Sequence, residues 1–386
     1  MTIFFTVTND LTYDQRMHRI CGTLASKGYS VTLVGRNLPR SIALENRHFN
    51  QKRLRCFFQK GFPFYAEYNL RLFLFLLFAR YDAVCSIDLD TLPAGCAATL
   101  LRRKKRVFDA HEYFTEVPEV LGRPFVQFFW GMVARVCLPF YRHAYTVGPA
   151  LARIFEEKYG LKFEVVRNVP VPAASAAGFE EGQNLITQPS ISATKVAGTD
   201  TAQLLYQGAL NAGRGIETML EAMLHLENVQ LVLAGEGDLS ETLRQQARDL
   251  GLGDRVVFFG YVKPDDLKML TAQAWLGLNL LENQGLSYYY SLANKFFDCV
   301  QAGVPVLTMD FPEYRALNAQ HEVAILLEEL TPEAVAAAIQ TLLEDKNLYE
   351  KLKGNCLSAR GEWNWEREQE TLLGIWRKVE SGGLRD

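Results

Sequence analysis

Short apolar runs rich in β-branched and aromatic residues alternate with segments of helical period, and this alternation occurs twice along the chain. In the first half, a helix is predicted at 14–27 and strands at 2–8, 30–35, 82–87 and 106–110. In the second half, the pattern predicts helices at 215–226, 240–250, 265–273 and 291–302 and strands at 204–208, 229–234, 255–259, 275–280 and 304–308. Strands alternating with helices form parallel sheets covered on both faces. The sequence therefore predicts an α/β protein with two tandem Rossmann-like, doubly wound domains facing across a cleft.

A stretch poor in apolar residues marks the boundary between the two alternations. Residues 171–203 are rich in Ala, Ser, Gly and Thr, which is typical of a linker or mobile loop. We expect an N-terminal domain at 1–170 and a C-terminal domain at 204–363. The remainder, 364–386, contains an amphipathic helix that must bury its apolar face, and we expect it to cross back to the N-terminal domain.

Charge is distributed unevenly along the chain. Residues 1–170 carry 24 Lys and Arg against 14 Asp and Glu, whereas the rest carries 17 against 30. A basic N-terminal domain suits a phosphate-bearing or lipid-linked partner, or peripheral contact with an anionic membrane surface. The basic run 102–106 lacks the interleaved aromatic residues on which nucleic-acid bases stack. A solvent-exposed connection between a helix and a strand explains it equally well, and we expect no nucleic-acid partner.

Residues 62–80 form the most apolar segment of the chain. Its uninterrupted apolar run, 72–79, is far shorter than the roughly 20 residues that span a bilayer. We favour a buried helix over a helix at the membrane interface. The seven cysteines are scattered without a CxxC pair, which indicates reduced thiols, and no metal site is expected. Without a basic region before the apolar residues 1–5, we expect no signal peptide and a cytoplasmic protein, with the inner membrane face as a further location.

Two loop-to-helix segments carry candidate ligand-binding residues. In the first, a strand ends at Gly208 and a helix is predicted to begin at Arg214 after Gly213, as in a site for a diphosphate. An ordinary turn with a surface Arg fits the local sequence equally well. In the second, the predicted helix start holds Ser291, Asn294, Lys295 and, one turn later, Asp298. The Lys can neutralise a phosphate and the Asp can accept ribose hydroxyls, although a simple surface pair has the same spacing.

The stretch 206–306 resembles the donor domain of the family 4 retaining glycosyltransferases, which have the GT-B fold. The resemblance rests on the order and spacing of four segments, 208–217, 233–239, 259–262 and 294–306. In the N-terminal half, Asp14-Gln15-Arg16 and Asp109-Ala110-His111-Glu112 also fit. The resemblance implies transfer of a sugar from a nucleoside diphosphate sugar to a hydroxyl with retention of configuration, in cell-surface polysaccharide or glycolipid synthesis. Because the sequence shows no acidic metal motif, we expect no metal requirement, and we expect no cofactor.

The resemblance also implies roles for individual residues. Catalytic roles fall on His111, beside the donor sugar, and on Arg214 and Lys295, at the diphosphate. Donor-binding roles fall on Gly208, Gly213, Glu236, Tyr261, Val262, Ser291, Asn294 and Asp298, with Asp298 in place of the family's ribose-binding Glu. The acceptor side is expected to include Asn9, Asp10 and Arg16. His111 could also be a satisfied histidine at a strand end.

Two positions depart from the family pattern. Ala209 stands where a second basic residue is common, and Tyr290 stands at the first of two carboxylate positions, for which Glu282 is a loose substitute. These departures leave two other functions open: a nucleotide-sugar epimerase of the same fold, and a non-catalytic partner subunit that binds a nucleotide-sugar. A dehydrogenase is disfavoured, because Thr8-Asn9-Asp10 occupies the turn where GxGxxG would lie.

Overall fold

The computed structural model describes residues 1–382 except 13, 40, 119 and 172–200, and it divides into two compact units. The first unit consists of the described parts of Met1–Asn168, Gly285–Ser291 and Glu368–Asp386, and the second of the described parts of Val169–Gln284 and Leu292–Arg367. The predicted linker 171–203 lies almost entirely outside the described residues.

The first unit contains a seven-stranded parallel sheet in the order β3-β2-β1-β4-β5-β6-β7. Its strands are β1 Thr2–Thr6, β2 Ser30–Asn37, β3 Asn50–Arg55, β4 Ala83–Ile87, β5 Lys105–Ala110, β6 His143–Thr146 and β7 Phe163–Val165. Its first five helices are α1 Gln15–Ser26, α2 Gly61–Phe78, α3 Asp88–Leu101, α4 Pro124–Cys137 and α5 Pro149–Tyr159, with 3-10 turns at Phe114–Glu116 and Leu138–Phe140. The chain changes direction across the sheet between β1 and β4, which makes this pair the switch point at which doubly wound sheets bind ligands.

The second unit contains a six-stranded parallel sheet in the order β10-β9-β8-β11-β12-β13, with its switch point between β8 and β11. The strands are β8 Ala202–Gln207, β9 Val229–Ala234, β10 Val256–Gly260, β11 Leu276–Asn279, β12 Val306–Met309 and β13 Ala324–Leu327. The helices from here to the end of the chain are α6 Ile216–Ala222, α7 Ser240–Asp249, α8 Pro264–Gln273, α9 Gly285–Tyr289, α10 Asn294–Ala302, α11 Pro312–Asn318, α12 Pro332–Glu344, α13 Lys346–Ala359 and α14 Trp365–Ser381, with 3-10 turns at Met223–His225 and Gly253–Arg255.

The predicted fold class is confirmed: both sheets are parallel and alternate with helices. The elements that the sequence did not reveal include β3 (NQKRLR), which lacks an apolar run, and the three- or four-residue strands β6, β7 and β13. Such short or polar strands carry little periodic signal, and their pairing in the sheet determines their conformation.

The last helix packs in the first unit. The Trp376 ring lies 5.4 Å from the Phe5 ring, centroid to centroid, and the Lys105 ammonium donates to the carbonyl of Val379 at 2.7 Å. Glu368 accepts hydrogen bonds from the backbone N–H and the guanidinium of Arg167. Apolar burial and hydrogen bonds thus both hold α14 against this unit.

The apolar segment 62–80 corrects one prediction. It forms α2, but only the stripe of Phe64, Tyr68, Leu72 and Leu76 is buried. Phe62, Leu70 and Phe78 remain 66%, 59% and 81% exposed, so the helix is buried on one side only. Among the helices that the structure describes, none is long and apolar enough to cross a bilayer.

Candidate functional site: a cationic turn at the switch point of the second sheet

Glycines end three neighbouring strands of the second sheet and bring their backbones close together. Gly208 follows β8, Gly235 follows β9 and Gly260 ends β10. Gly235 has φ of 149°, and a Cβ on it would lie 1.9 Å from the carbonyl oxygen of Gly208. Only glycine fits there, because the ends of β8 and β9 approach each other too closely for a side chain at this point.

Lys295 reaches this edge from the first turn of α10. Its ammonium lies 3.9 Å from the centre of the Tyr206 ring, and a Cβ on Gly208 would be 3.6 Å from its Nζ atom. Burial and the positive charge of Arg214 lower the pKa of Lys295 to about 7. The site therefore holds a cation in surroundings that disfavour its charge when no anion is bound.

Arg214 occupies the turn before α6, between Gly213 and Gly215. The helix begins at Ile216, so Arg214 precedes it and does not open it as predicted. The turn is fixed from both sides: the backbone N–H of Glu282 donates to the Gly213 carbonyl at 3.0 Å, and a Cβ on Gly215 would lie 2.1 Å from the Leu280 carbonyl oxygen. These contacts join the β8 turn to the residues after β11, at the switch point.

Asp298 lies one turn beyond Lys295 and is held by a buried hydrogen-bonded chain. The Gln207 amide donates to its Oδ2 atom at 2.9 Å, and the Thr271 hydroxyl donates to the Gln207 side-chain oxygen at 2.7 Å. Gln207 and Thr271 are both buried. Sequence reasoning missed these two residues, although a Gln at the end of the apolar run 204–206 was a signal that could have indicated the first.

The predicted helix at 291–302 begins later than expected. It begins at Asn294, an exposed residue, and the preceding segment Gly285–Ser291 belongs to the first unit. The Ser291 hydroxyl donates to the Tyr288 carbonyl at 2.8 Å, and Ser291 lies before the helix start and not at it. The Tyr290 side chain packs against the apolar core of the first unit, which suits a Tyr at the position where the family pattern has a carboxylate.

The remaining residues that were predicted to bind the donor lie just beyond the ends of β9 and β10. The Glu236 carboxylate pairs with the Arg244 guanidinium at 2.5 Å, and the hydrogen bonds from Arg244 and Ser240 lower the pKa of Glu236. Tyr261 is 86% exposed, and the next residue, Val262, is half-buried. An exposed aromatic ring and an apolar side chain at a strand end can pack against a nucleotide base.

In the first unit, His111 is surrounded by carboxylates at the carboxyl edge of the sheet. Its Nε2 atom is 2.9 Å from Oδ2 of Asp109, its Nδ1 atom is 3.9 Å from Oδ2 of Asp88, and its backbone N–H donates to Asp88 at 2.8 Å. Burial opposes the charged imidazolium, but Asp109 and Asp88 outweigh it and raise the pKa of His111. His111 is therefore positioned by two neighbours that favour its protonated form.

Arg16, predicted on the acceptor side, is instead part of the core beneath His111. It is 4% exposed, and its guanidinium contacts Asp109 at 3.0 Å and donates to the Val166 carbonyl at 2.8 Å. Burial would raise the pKa of Asp109, but the charges of Arg16 and His111 outweigh it and lower that pKa. Arg16 stands four residues before the buried Ile20, on the same side of α1, and this spacing was a signal for its orientation.

The other two acceptor-side predictions, Asn9 and Asp10, lie in the loop after β1. The Asn9 amide donates to Asp14 at 2.8 Å, and the Asp10 carboxylate pairs with Arg53 at 2.5 Å. Despite its burial, hydrogen bonds from Ser41 and Thr12 lower the pKa of Asp10. Both side chains therefore order the loop at the switch point of the first sheet.

Sequence reasoning missed two carboxylates after β4, at the same switch point. Asp88 has a left-handed backbone with φ of 53°, and burial raises its pKa well above the usual value. Asp90 is 7% exposed, accepts a hydrogen bond from Thr8, and has a pKa raised to about 6 by burial. Their alternation with Ile87 and Leu89 after a buried strand was the available signal. Among the described residues, no group of three or more Asp, Glu, His and Cys could hold a metal ion.

Comparison with known proteins identifies the family. The model for "Glycosyltransferase Family 4" matches residues 15–170, and the model for "Glycosyl transferases group 1" matches residues 188–356. The chain belongs to the family 4 glycosyltransferases, which have the GT-B fold. This family 4 chain is 26% identical over 183 residues, 46% of its length, to an uncharacterized glycosyltransferase of Methanocaldococcus jannaschii. It is also 26% identical to phosphatidyl-myo-inositol mannosyltransferase of Mycobacterium leprae. This alignment covers 176 residues, which are 45% of each chain.

The aligned regions span about half the length of these curated relatives. Among solved structures, HepE of Anabaena in complex with UDP and glucose has a TM-score of 0.73 to this chain, at 16% identity over 99% of this chain and 100% of the HepE chain. At this identity, the likeness shows a shared fold.

Proposed function

We propose that this protein transfers a glycosyl group from a nucleoside diphosphate sugar to a hydroxyl acceptor, in cell-surface polysaccharide or glycolipid synthesis. The observation that carries the proposal is the pair of cations Arg214 and Lys295 at the β8–β11 switch point. The positive charge of Arg214 helps to lower the pKa of Lys295, which shows that the two cations repel each other. The negative charge of a bound diphosphate would offset this repulsion. The comparison with HepE, solved with UDP and glucose, supports the same class of donor.

The rest of the donor fits around this pair. The glycines after β8 and β9 leave room for the diphosphate, with Gly213 in the cationic turn and Asn294 as a further hydrogen-bond donor at the start of α10. Asp298, oriented by Gln207, accepts the ribose hydroxyls. Tyr261 and Val262 pack against the base, and the Glu236–Arg244 pair supports the loop beside them.

The reaction separates a sugar with oxocarbenium character from a leaving diphosphate. Arg214 and Lys295 stabilise the negative charge that develops on the leaving group, which is the role of preorganised electrostatics. We propose that no divalent metal is needed, because these two cations supply the charge that a metal would otherwise provide. His111, positioned by Asp109 and Asp88, hydrogen-bonds the sugar, and configuration is retained because the leaving phosphate takes the acceptor proton on the same face.

The acceptor is proposed to be lipid-linked or phosphate-bearing. Residues 1–170 carry a net charge of +10, which attracts an anionic acceptor or an anionic membrane at the inner face of the cell. The curated phosphatidyl-myo-inositol mannosyltransferase to which the chain is similar is consistent with such an acceptor. The loop containing Asn9 and Asp10 would line the acceptor side.

The test is turnover and nucleotide binding in two variants with two matched controls. Arg214→Ala and Lys295→Ala are expected to lower turnover by at least about a hundredfold, as loss of charge stabilisation at the leaving group requires. They should also weaken UDP or GDP binding in calorimetry without lowering the Tm. Arg248→Ala and Lys268→Ala remove exposed cations of the same unit and should leave both measurements unchanged.

The outcomes of several measurements separate the alternatives. Near-normal turnover in both site variants would refute the diphosphate assignment. Conversion of the donor sugar without acceptor would indicate an epimerase, and donor binding without hydrolysis or transfer would indicate a non-catalytic subunit. If the reaction needs no metal, activity should survive the addition of EDTA. If configuration is retained, NMR of the product should show the same anomeric configuration as in the donor.

A further inference from the structure

The outer ridge of α2 is apolar along the whole helix. The buried stripe of α2 faces the core of the first unit, and the residues at i, i+4 spacing on the opposite side are all exposed. These are Phe62, Ala66, Leu70, Leu74 and Phe78. A helix face in contact with water normally carries polar side chains, and this ridge has none, so its composition indicates a partner other than water.

The neighbouring helix α4 has a second ridge of the same kind. Its exposed apolar residues are Phe125, Phe128, Met132 and Val136, which are 77%, 65%, 44% and 60% exposed. The helices touch through side chains: the ring of Phe62 lies 5.9 Å from that of Phe129, and the ring of Tyr65 lies 5.2 Å from that of Trp130. We call the exposed apolar residues of the two helices the α2–α4 surface.

The α2–α4 surface is cationic at its edges. The two helices carry one carboxylate between them, Glu67, which accepts hydrogen bonds from Arg71 and from the backbone N–H groups of residues 57 and 58. Exposed cations lie at or beside the helix ends: Lys60 and Arg80 next to α2, and Arg123 and Arg135 at the two ends of α4. The pattern is an apolar centre with a positive rim.

We propose that the α2–α4 surface docks the protein on an anionic lipid membrane, with its Phe and Leu side chains among the headgroups and its rim cations near the lipid phosphates. This assignment rests on the part of the proposed function that includes contact with a membrane. It identifies the α2–α4 surface as the part of the protein that makes this contact. Amphipathic helices with aromatic residues on one side and cations at the border bind the membrane interface in this way.

The charge pattern favours lipid over a second copy of the chain. A symmetric dimer would place this surface against itself, which would bring the cations of one rim towards those of the other, while α2 and α4 themselves supply a single carboxylate, Glu67, to offset them. An anionic lipid layer complements both the apolar centre and the positive rim. A membrane therefore complements both the apolar residues and the cations of the surface, whereas self-association complements only the apolar residues.

Vesicle sedimentation with the whole protein tests the proposal. We expect retention on phosphatidylcholine vesicles that contain phosphatidylglycerol at low salt, and weaker retention at high salt or on phosphatidylcholine alone. The double variant Phe78→Gln with Phe128→Gln should lower the partition coefficient about tenfold or more, because it removes two interfacial rings. Leu357→Gln, an exposed apolar position of the second unit, is the matched control and should bind as the parent does.

The outcomes separate this proposal from the proposed function. Absence of retention at low salt, or equal retention of the double variant and the parent, would overturn the membrane assignment. A dimer in analytical ultracentrifugation that the double variant dissociates would replace the membrane by a second copy. The Arg214→Ala variant should bind vesicles as the parent does, so loss of turnover in that variant concerns the transfer reaction alone. Circular dichroism melts of the double variant check that it is folded.

Discussion

Replacement of Lys295 by Met should stabilise the protein while it abolishes diphosphate binding. The pKa of Lys295 falls from the usual 10.5 to about 7, because its ammonium is partly removed from solvent and feels the positive charge of Arg214. At 1.36 kcal/mol per pKa unit, this shift corresponds to at most about 5 kcal/mol of cost for the charged form. Because the side chain is only half-buried and solvent screens its charge, we expect the variant to gain about 1–3 kcal/mol of unfolding free energy at neutral pH.

The pH dependence of this gain has a definite sign. Lys295 is charged in both the folded and the unfolded protein below pH 7, so the cost of the buried charge is fully present there. Between about pH 7 and 10.5, the folded protein releases the proton before the unfolded chain does, and the cost disappears. The advantage of Lys295→Met should therefore be largest at or below pH 7 and should shrink as the pH rises towards 10.5.

Thermal denaturation at pH 6.5 and pH 9.5, with and without UDP or GDP, is the assay. We expect the variant to melt about 2–6 °C higher than the parent at the lower pH and to show no ligand-induced rise in Tm. Lys268→Met, at an exposed lysine of the same unit, should melt within about 1 °C of the parent. A variant that melts below the parent by the same amount at both pH values would refute the reasoning.

Three other substitutions test separate parts of the structure. Gly235→Ala should lower the unfolding free energy by about 2–4 kcal/mol in urea denaturation, because its Cβ would lie 1.9 Å from the Gly208 carbonyl oxygen. Arg16→Met should cost about 3–5 kcal/mol in the same assay, because it leaves the buried Asp109 carboxylate without its guanidinium partner. Asp298→Asn should weaken UDP or GDP binding about tenfold or more, because it removes the carboxylate that accepts hydrogen bonds from the ribose. Pyrophosphate has no ribose, so its binding should not change.

Each of these predictions has a matched control or a contradicting result. Gly354→Ala, in α13 with no atom within 4 Å of a new Cβ, should keep or raise stability, and equal effects at 235 and 354 would contradict the close approach of the strands. Arg19→Met changes a neighbouring arginine of α1 that is only partly buried, and a cost equal to that of Arg16→Met would argue against the Asp109 pair. Equal losses of nucleotide and pyrophosphate binding in Asp298→Asn would place that carboxylate at the diphosphate.

The sequence alone predicted much of the fold, because apolar periodicity is a local property. Strands and helices such as β9, α7 and α8 have the predicted bounds within one residue. The candidate diphosphate residues Arg214 and Lys295 were also visible, since both stand beside glycine-containing turns or helix starts. The sequence could not show that the two side chains converge, because they come from segments about eighty residues apart that only the β8–β11 pairing brings together.

Burial is the property that the tertiary structure decided. The helical period of α2 was legible, but a segment so apolar on every side gave no indication of which stripe is buried and which remains exposed. Likewise, Arg16 and Asp88 are charged residues that a sequence places at the surface by default. In the structure, Arg16 is buried against Asp109, and Asp88 is largely covered where it contacts His111. Thus the chain by itself determined two parallel sheets and a cationic turn, because these follow from local pattern. The orientation of each charge and the exposed apolar ridges depended on which neighbours the fold supplied.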